Sequence, residues 1–283
     1  MPALVVAAHG SHLSPDSSRP ARDHAARIRA TGAFDEVHTA FWKEEPSFRD
    51  ALRTVASDEL FLVPLFVSRG YFTEQVLPRE FRLTEFDRDR WAEAGSITTT
   101  ADDVSATIHY CGPVGTDPVM SDVIVQRAES ITGDTAIGPE TTLAIVGHGT
   151  ERNQNSAEAI YDHVERIRAT DRFAAVEALF MDEAPAIDDW PEYVDTERVV
   201  IVPLFVADGY HTQEDLPEDI GLVEDYRESW ATPARVAGHE VYYSGAVGTE
   251  PLTAEVILDR AKRAGASVEH AMAAIEADAV AAD

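Results

Sequence analysis

Residues 60–78 read LFLVPLFVSRGYFTEQVLP, and residues 199–217 read VVIVPLFVADGYHTQEDLP. The two stretches share VPLFV, then Gly-Tyr, a threonine and a closing Leu-Pro, at an offset of 139 (63 to 202). Each opens as an uninterrupted apolar run of strand length, as expected of a parallel strand covered on both faces. The repetition extends outward from there. His9-Gly10-Ser11 aligns with His148-Gly149-Thr150, DHAARIRAT (23–31) with DHVERIRAT (162–170), Glu44 with Glu183 and Pro46 with Pro185, all at the same offset. GPVGTDP (112–118) aligns with GAVGTEP (245–251) at an offset of 133, which places about six extra residues of the first copy within 82–108. A period this long marks a duplicated domain rather than a solenoid, whose units run to roughly 20–50 residues.

Within each copy, apolar runs alternate with helical patterns. LVVAAHG and LAIVGHG end in glycine as first strands; VHTAFW and VEALFM read as second strands, LFLVPLFV and VVIVPLFV as third, and ATIHYCGPVG and HEVYYSGAVG as fourth. Between the first two strands of the second copy, Ile160, Val164 and Ile167 recur at helical spacing over 156–170 behind a possible Ser156 cap. Further helices are expected to start near Asp117 and Glu250, and the alanine-rich end, 264–283, reads as a last one. Residues 132–142 have the composition of a linker. The expectation is α/β: two duplicated doubly wound parallel-sheet domains, residues 1–138 and 139–283, facing across a cleft.

Composition narrows the class. The chain has 283 residues, 45% of them hydrophobic, enough for real cores. No run approaches the roughly 18 apolar residues of a membrane span, and no leader pattern opens the chain, so a cytoplasmic protein is expected. Its single cysteine, Cys111, excludes an intrachain disulfide and a thiolate metal cage. Fifty-one acidic residues against 23 basic ones give a net charge of −28, and only Lys43 and Lys262 are lysines. Such a charge repels nucleic acid and suits a protein kept in concentrated salt. A halophilic source is therefore expected.

Ligands of open α/β sheets bind beyond the carboxyl ends of the strands. His148 ends the first strand of its copy, Glu183 follows the second and His211 the third, so two imidazoles and a carboxylate are expected at one rim. His, His and Glu suit a divalent transition metal and leave coordination positions open. The first copy offers His9 and Glu44 but has Phe72 at the third position. His12, His24, His38, His109, His163, His239 and His270 lack such company and read as surface or partly buried. No phosphate loop, nucleophile elbow or His-Glu-x-x-His helix occurs.

AAHGS, VGHGTERNQNS and VPLFVADGYHTQEDLP together resemble the CbiX/SirB group of class II tetrapyrrole chelatases, over nearly the whole chain. The resemblance implies chelatase-like domains and ATP-independent insertion of Co²⁺, Fe²⁺ or Ni²⁺ into sirohydrochlorin, as in cobalamin or siroheme biosynthesis, with no nucleotide cofactor. It implies His148 and His211 as the metal-binding or base pair, with Glu183 beside them either completing the metal site or accepting protons. Phe72 departs from the pattern. It reads either as a wall for a flat macrocycle or as core. His9, Glu44, Phe72, Arg69 and Arg152 are candidates for substrate contact, the arginines because sirohydrochlorin is rich in carboxylates. Helix starts near Ser11 and Thr150 also offer N–H groups to anions. With the duplication internal, a monomer should suffice. The rival readings are a non-catalytic metal- or tetrapyrrole-binding protein on the same fold, and a metal-dependent hydrolase, for which no nucleophile is present.

Overall fold

The computed structural model describes residues 2–12, 14–102, 104–133, 137–150, 154–225 and 228–282. They form two compact units, residues 1–117 with 251–283, and residues 118–250.

The first unit contains β1 (Ala3–Ala8), α1 (Arg19–Thr31), β2 (Glu36–Phe41), α2 (Phe48–Thr54), β3 (Glu59–Pro64), α3 (Leu77–Glu80), β4 (Leu83–Thr84), α4 (Arg88–Ala94), β5 (Ser96–Ala101) and β6 (Val104–Cys111). Its sheet runs β2-β1-β3-β6-β5-β4. The first four strands are parallel, and β5 and β4 add antiparallel. All six residues of β1 are buried. Ala3, Val5 and Ala7 join the core built by Phe48 and Leu52 of α2, Leu77, Phe81 and Trp91. Leu4 and Val6, which alternate with them, are equally buried. Period-two side chains on a strand with no polar face thus require cover on both sides.

The second unit contains α5 (Met120–Thr132), β7 (Thr141–Gly147), α6 (Gln154–Arg168), β8 (Ala175–Phe180), β9 (Arg198–Pro203), α7 (Leu216–Ile220), β10 (Ala234–Val236) and β11 (His239–Tyr243). Its sheet runs β10-β11-β9-β7-β8, parallel except for β10. Ile160, Val164 and Ile167 are buried along α6, as their spacing predicts.

The expected α/β class holds, with antiparallel strands added at one edge of each mainly parallel sheet. Several details are corrected. The extra residues of the first copy include α4, whose Trp91 is fully buried, and the first sheet has six strands to the second's five. The third strands stop at Pro64 and Pro203, because the Leu-Phe-Val that follows turns away to dock against the VGT segments. Phe66 O accepts from Gly115 N and Phe205 O from Gly248 N. A Cβ on Gly248 would lie 2.4 Å from the Val206 backbone, so only glycine allows that approach. α6 begins at Gln154, before Ser156. His24 and His163 are fully buried, and His163 Nδ1 bonds Ser121 Oγ at 2.8 Å.

The boundary expected at 138/139 also differs from the compact units. α5 follows the fourth strand of the first copy, yet it packs on β9, β11 and α6 of the second unit. Conversely, α8 (Thr253–Arg263) comes from the second copy but packs on α1, β3 and β6 of the first unit, followed there by α9 (Glu269–Ala282). Ion pairs accompany the exchange, one buried and one partly buried. Arg260 of α8 lies 3.0 Å from Asp117, and the equivalent Arg127 of α5 lies 3.4 Å from the equivalent Glu250. Sequence repeats and compact units therefore partition the chain differently.

Candidate functional site

In the second unit, β7 delivers His148 and β8 delivers Glu183. The backbone locks the two strand ends together: Asp182 N donates to His148 O at 2.9 Å, and Phe180 N to Pro185 O, closing the Glu183 loop back onto its strand. Gly149 has φ +69°, a conformation that L side chains rarely adopt. A Cβ there would meet Glu183 Cγ at 2.8 Å and Oε1 at 3.0 Å. The glycine after the histidine thus makes room for the carboxylate. Glu183 Oε1 is buried and has no hydrogen-bond partner among the described residues.

His211 opens a π-helical turn, His211–Asp215, in which Leu216 N–H bonds His211 O. Such turns recur at functional sites. Two supports hold it. Gly209 N donates to Thr212 Oγ1 at 3.0 Å, and Tyr243 of β11 donates its hydroxyl to Thr212 O at 2.7 Å. Burial, with Asp208 adding, pushes the Tyr243 phenol well up, so it stays a donor. The His148 and His211 rings stand 5.1 Å apart, edge to face at 84°. His148 Nδ1 bonds Gly149 O at 3.1 Å and lies 3.2 Å from Asp182 Oδ2; His211 Nδ1 bonds Asp215 Oδ2 at 2.7 Å. Both imidazoles are about half exposed, at 45% and 47%.

The first unit repeats the frame with different chemistry. His9 Nδ1 bonds Gly10 O at 2.8 Å, and Tyr110 holds Thr73 O at 2.6 Å as Tyr243 holds Thr212. Phe72 opens the matching π-helical turn. Its ring meets His9 edge-on at 4.9 Å, stacks on Phe66 at 5.6 Å and abuts Trp42 at 6.2 Å. It is half-buried and lies outside the main core cluster. Burial pushes the Glu44 carboxyl up, but hydrogen bonds from Ser11 N–H, the Ser18 hydroxyl and the Arg22 guanidinium outweigh it and hold it below its ordinary value. Glu44 is thus engaged, whereas Glu183 Oε1 is buried with no hydrogen-bond partner among the described residues.

Of the expected site residues, the structure pairs His148 with His211 and sets Glu183 behind Gly149. It does not gather the three into a cage: among the described residues no group of three or more His, Cys, Asp or Glu is arranged to hold a metal ion. Arg69 is half-buried and donates to Ala92 O at 3.2 Å. Arg152 lies outside the described residues. Sequence reasoning passed over Asp182 and Asp215, the carboxylates beside the two imidazoles. A signal was available for Asp215, four residues after His211 in a helical pattern.

The sequence model of the family described as CbiX matches residues 3–131 and 142–264. The chain belongs to the CbiX family. The paired matches coincide with the duplication, so each copy is a CbiX unit in sequence even though the fifth and eighth helices change places. The probable sirohydrochlorin cobaltochelatase of Halobacterium salinarum is 58% identical over 279 residues, covering 97% of this chain and 96% of its own. Among solved structures, DR2241 of Deinococcus radiodurans, a multi-domain protein with structural similarity to chelatases, superposes with a TM-score of 0.76 at 27% identity. That match covers 93% of this chain but 55% of DR2241, which carries two additional domains. CbiX, described as the terminal enzyme for siroheme biosynthesis in denitrifying bacteria, superposes with a TM-score of 0.61 at 26% identity over 93% of this chain and 98% of its own. No helix among the described residues is long and apolar enough to cross a membrane.

Proposed function

We propose that this chain inserts a divalent metal ion, Co²⁺ first among candidates with Fe²⁺ and Ni²⁺ as alternatives, into sirohydrochlorin without a nucleotide. The observation that carries this reading is the His148–His211 pair, two imidazoles 5.1 Å apart whose Nδ1 atoms both face acceptors. A neutral imidazole bonded through one nitrogen presents a lone pair on the other. Each Nε2 then carries the lone pair that can ligate a metal or take a proton. The 58% identical relative, named for cobalt insertion, supports the same substrate and the same first metal.

The reaction exchanges two macrocycle N–H protons for one M²⁺, so the site must hold the ion loosely, strip its waters and accept protons. Two imidazole ligands at about 2.0–2.1 Å leave most of the coordination sphere to water and then to the ring nitrogens. Glu183, whose buried Oε1 has no hydrogen-bond partner among the described residues, is assigned to proton uptake. The aromatic surface around Phe72, with His9 and Lys43 at its edge, is assigned to tetrapyrrole contact, and Glu44 to holding that rim through Ser11 and Arg22. The His148–His211 pair is about half exposed, which suits an ion that must leave again, so transfer is favoured over storage.

The test follows the absorbance of sirohydrochlorin mixed with protein and each metal in molar KCl. His148→Ala and His211→Ala should each lower the insertion rate by about 10²-fold or more, the scale of losing a positioned acid–base or ligand group. His9→Ala should lose far less, with circular dichroism as the folding control. If His9→Ala is inactive and His148→Ala is not, the active half has been misassigned. Tight metal binding with no spectral change in the macrocycle would favour the carrier reading.

A further inference from the structure

Each imidazole of the second half has an acidic neighbour that its counterpart lacks. The offset of 139 that aligns His148 with His9 also aligns Asp182 with Lys43. The same offset aligns His211 with Phe72 and Asp215 with Val76. The frame around them is otherwise held in common: the π-helical turn, the tyrosine on the threonine carbonyl, and the Nδ1-to-glycine bond of the first histidine. Where the first half lacks the histidine, it also lacks the aspartate four residues on.

We propose that Asp215 is a positioning residue for metal insertion, assisted by Asp182. This rests on the reading of His148 and His211 given above. An ionised carboxylate only accepts hydrogen bonds, so Asp215 Oδ2 at 2.7 Å from His211 Nδ1 requires the proton on Nδ1. The lone pair is then on Nε2, and the ring is held at a fixed rotation. One helical turn is enough, since residues four apart share a face. Metal-binding imidazoles commonly carry a carboxylate or carbonyl on the far nitrogen, which sets the tautomer and raises ligand basicity. His148 uses both kinds, Gly149 O at 3.1 Å and Asp182 Oδ2 at 3.2 Å. A merely structural ion pair is a poor alternative, because exposed pairs contribute little to stability. A general acidic surface does not explain the pattern either, since at the corresponding positions the first half has Lys43 and the buried Val76.

Two readouts test the proposal, one independent of turnover. In metal-free protein without macrocycle, long-range ¹H–¹⁵N spectra should show His211 as the Nδ1–H tautomer, and Asp215→Ala should shift it toward Nε2–H. In the insertion assay at saturating sirohydrochlorin, Asp215→Ala should lower kcat/KM for Co²⁺ about 10–100-fold, the usual loss on removing such a partner. The KM for the macrocycle and the melting temperature should not change. Asp215→Asn should recover part of the loss, because its amide oxygen still accepts from Nδ1. Asp182→Ala should lose less, since Gly149 O remains. An unchanged tautomer in Asp215→Ala overturns the proposal, as does a shifted tautomer with parental Co²⁺ kinetics. A parent protein that inserts no metal would instead sink the proposed function, and the tautomer together with direct Co²⁺ titration would still decide whether Asp215 positions His211.

Discussion

At the scale of single residues, the glycine after each strand-end histidine decides where a carboxylate sits. Gly149→Ala imposes a left-handed conformation on alanine, costing about 1–2 kcal/mol, and drives its Cβ into Glu183 Cγ. Gly10→Ala suffers the same backbone penalty at φ +64°, but its nearest contact, Glu44 Oε1 at 3.0 Å, belongs to the half that lacks the histidine pair. Both variants should therefore melt earlier by similar amounts, whereas only Gly149→Ala should slow metal insertion by about tenfold or more, the scale of a displaced proton-transfer group. Equal insertion rates in the two variants would show that the placement of Glu183 does not matter. The pairing of His148 with His211 is legible in the sequence, because the internal repeat points to strand ends and strand ends converge. Asp182 and Asp215 are not. In a chain with 51 acidic residues an aspartate carries little information until its distance to an imidazole is known. Phe72 is ambiguous in sequence for a related reason: a phenylalanine between an apolar strand and a helix reads equally as core or rim. Its ring is half-buried, stacked with Phe66 and edge-on to His9, outside the main core cluster.

At the scale of elements, the exchange of α5 and α8 is the feature that the repeat does not reveal. Two similar copies provide two similar sheets and two similar helices, and nothing in the pattern of apolar residues says which helix covers which sheet. The edge strands β4, β5 and β10 escape a reading by pattern because short strands in polar, threonine-rich or two-sided surroundings lack a long apolar run. The buried pair that accompanies α8 offers a quantitative check. Arg260 is 8% exposed and Asp117 not at all, and Arg260 also donates to Thr116 Oγ1 at 2.8 Å. Burial pushes the guanidinium down and Asp117 opposes it. Removing one partner of such a pair strands a buried charge, so Arg260→Ala should cost about 3–5 kcal/mol in urea unfolding. Arg235→Ala breaks an exposed pair, at 65% and 78%, and should fall within about 0.5 kcal/mol of the parent. Arg127→Ala should lie between them, because Arg127 is 22% exposed beside Glu250 and also holds Ser244 O. Should Arg260→Ala match the Arg235→Ala control, α8 is held by apolar packing alone.

At the scale of the whole molecule, the excess of 28 negative charges is a term that no single contact offsets. Described ion pairs such as Arg53–Asp50, Arg166–Asp162 and Arg235–Glu197 are exposed and, at about 0–1 kcal/mol each, are too weak to balance it. Self-repulsion should therefore destabilise the fold in dilute buffer and be relieved by screening. The Debye length falls from about 10 Å at 0.1 M to about 3 Å at 1 M, so most of the relief should arrive below about 1 M. The expected melting curve is a steep rise in melting temperature with KCl that flattens above that concentration. Sucrose stabilises by exclusion from the surface without screening charge. At low salt it should reproduce little of the steep phase. A second check lowers the charge itself: in dilute buffer, moving from pH 7 toward pH 5 begins to protonate carboxylates and should narrow the gap between low-salt and high-salt melting temperatures. A rise that continues linearly to several molar KCl, matched by sucrose, would assign the effect to surface exclusion. A flat curve would show that the acidic surface brings no net penalty to the folded state, and metal insertion could then be assayed in dilute buffer without loss.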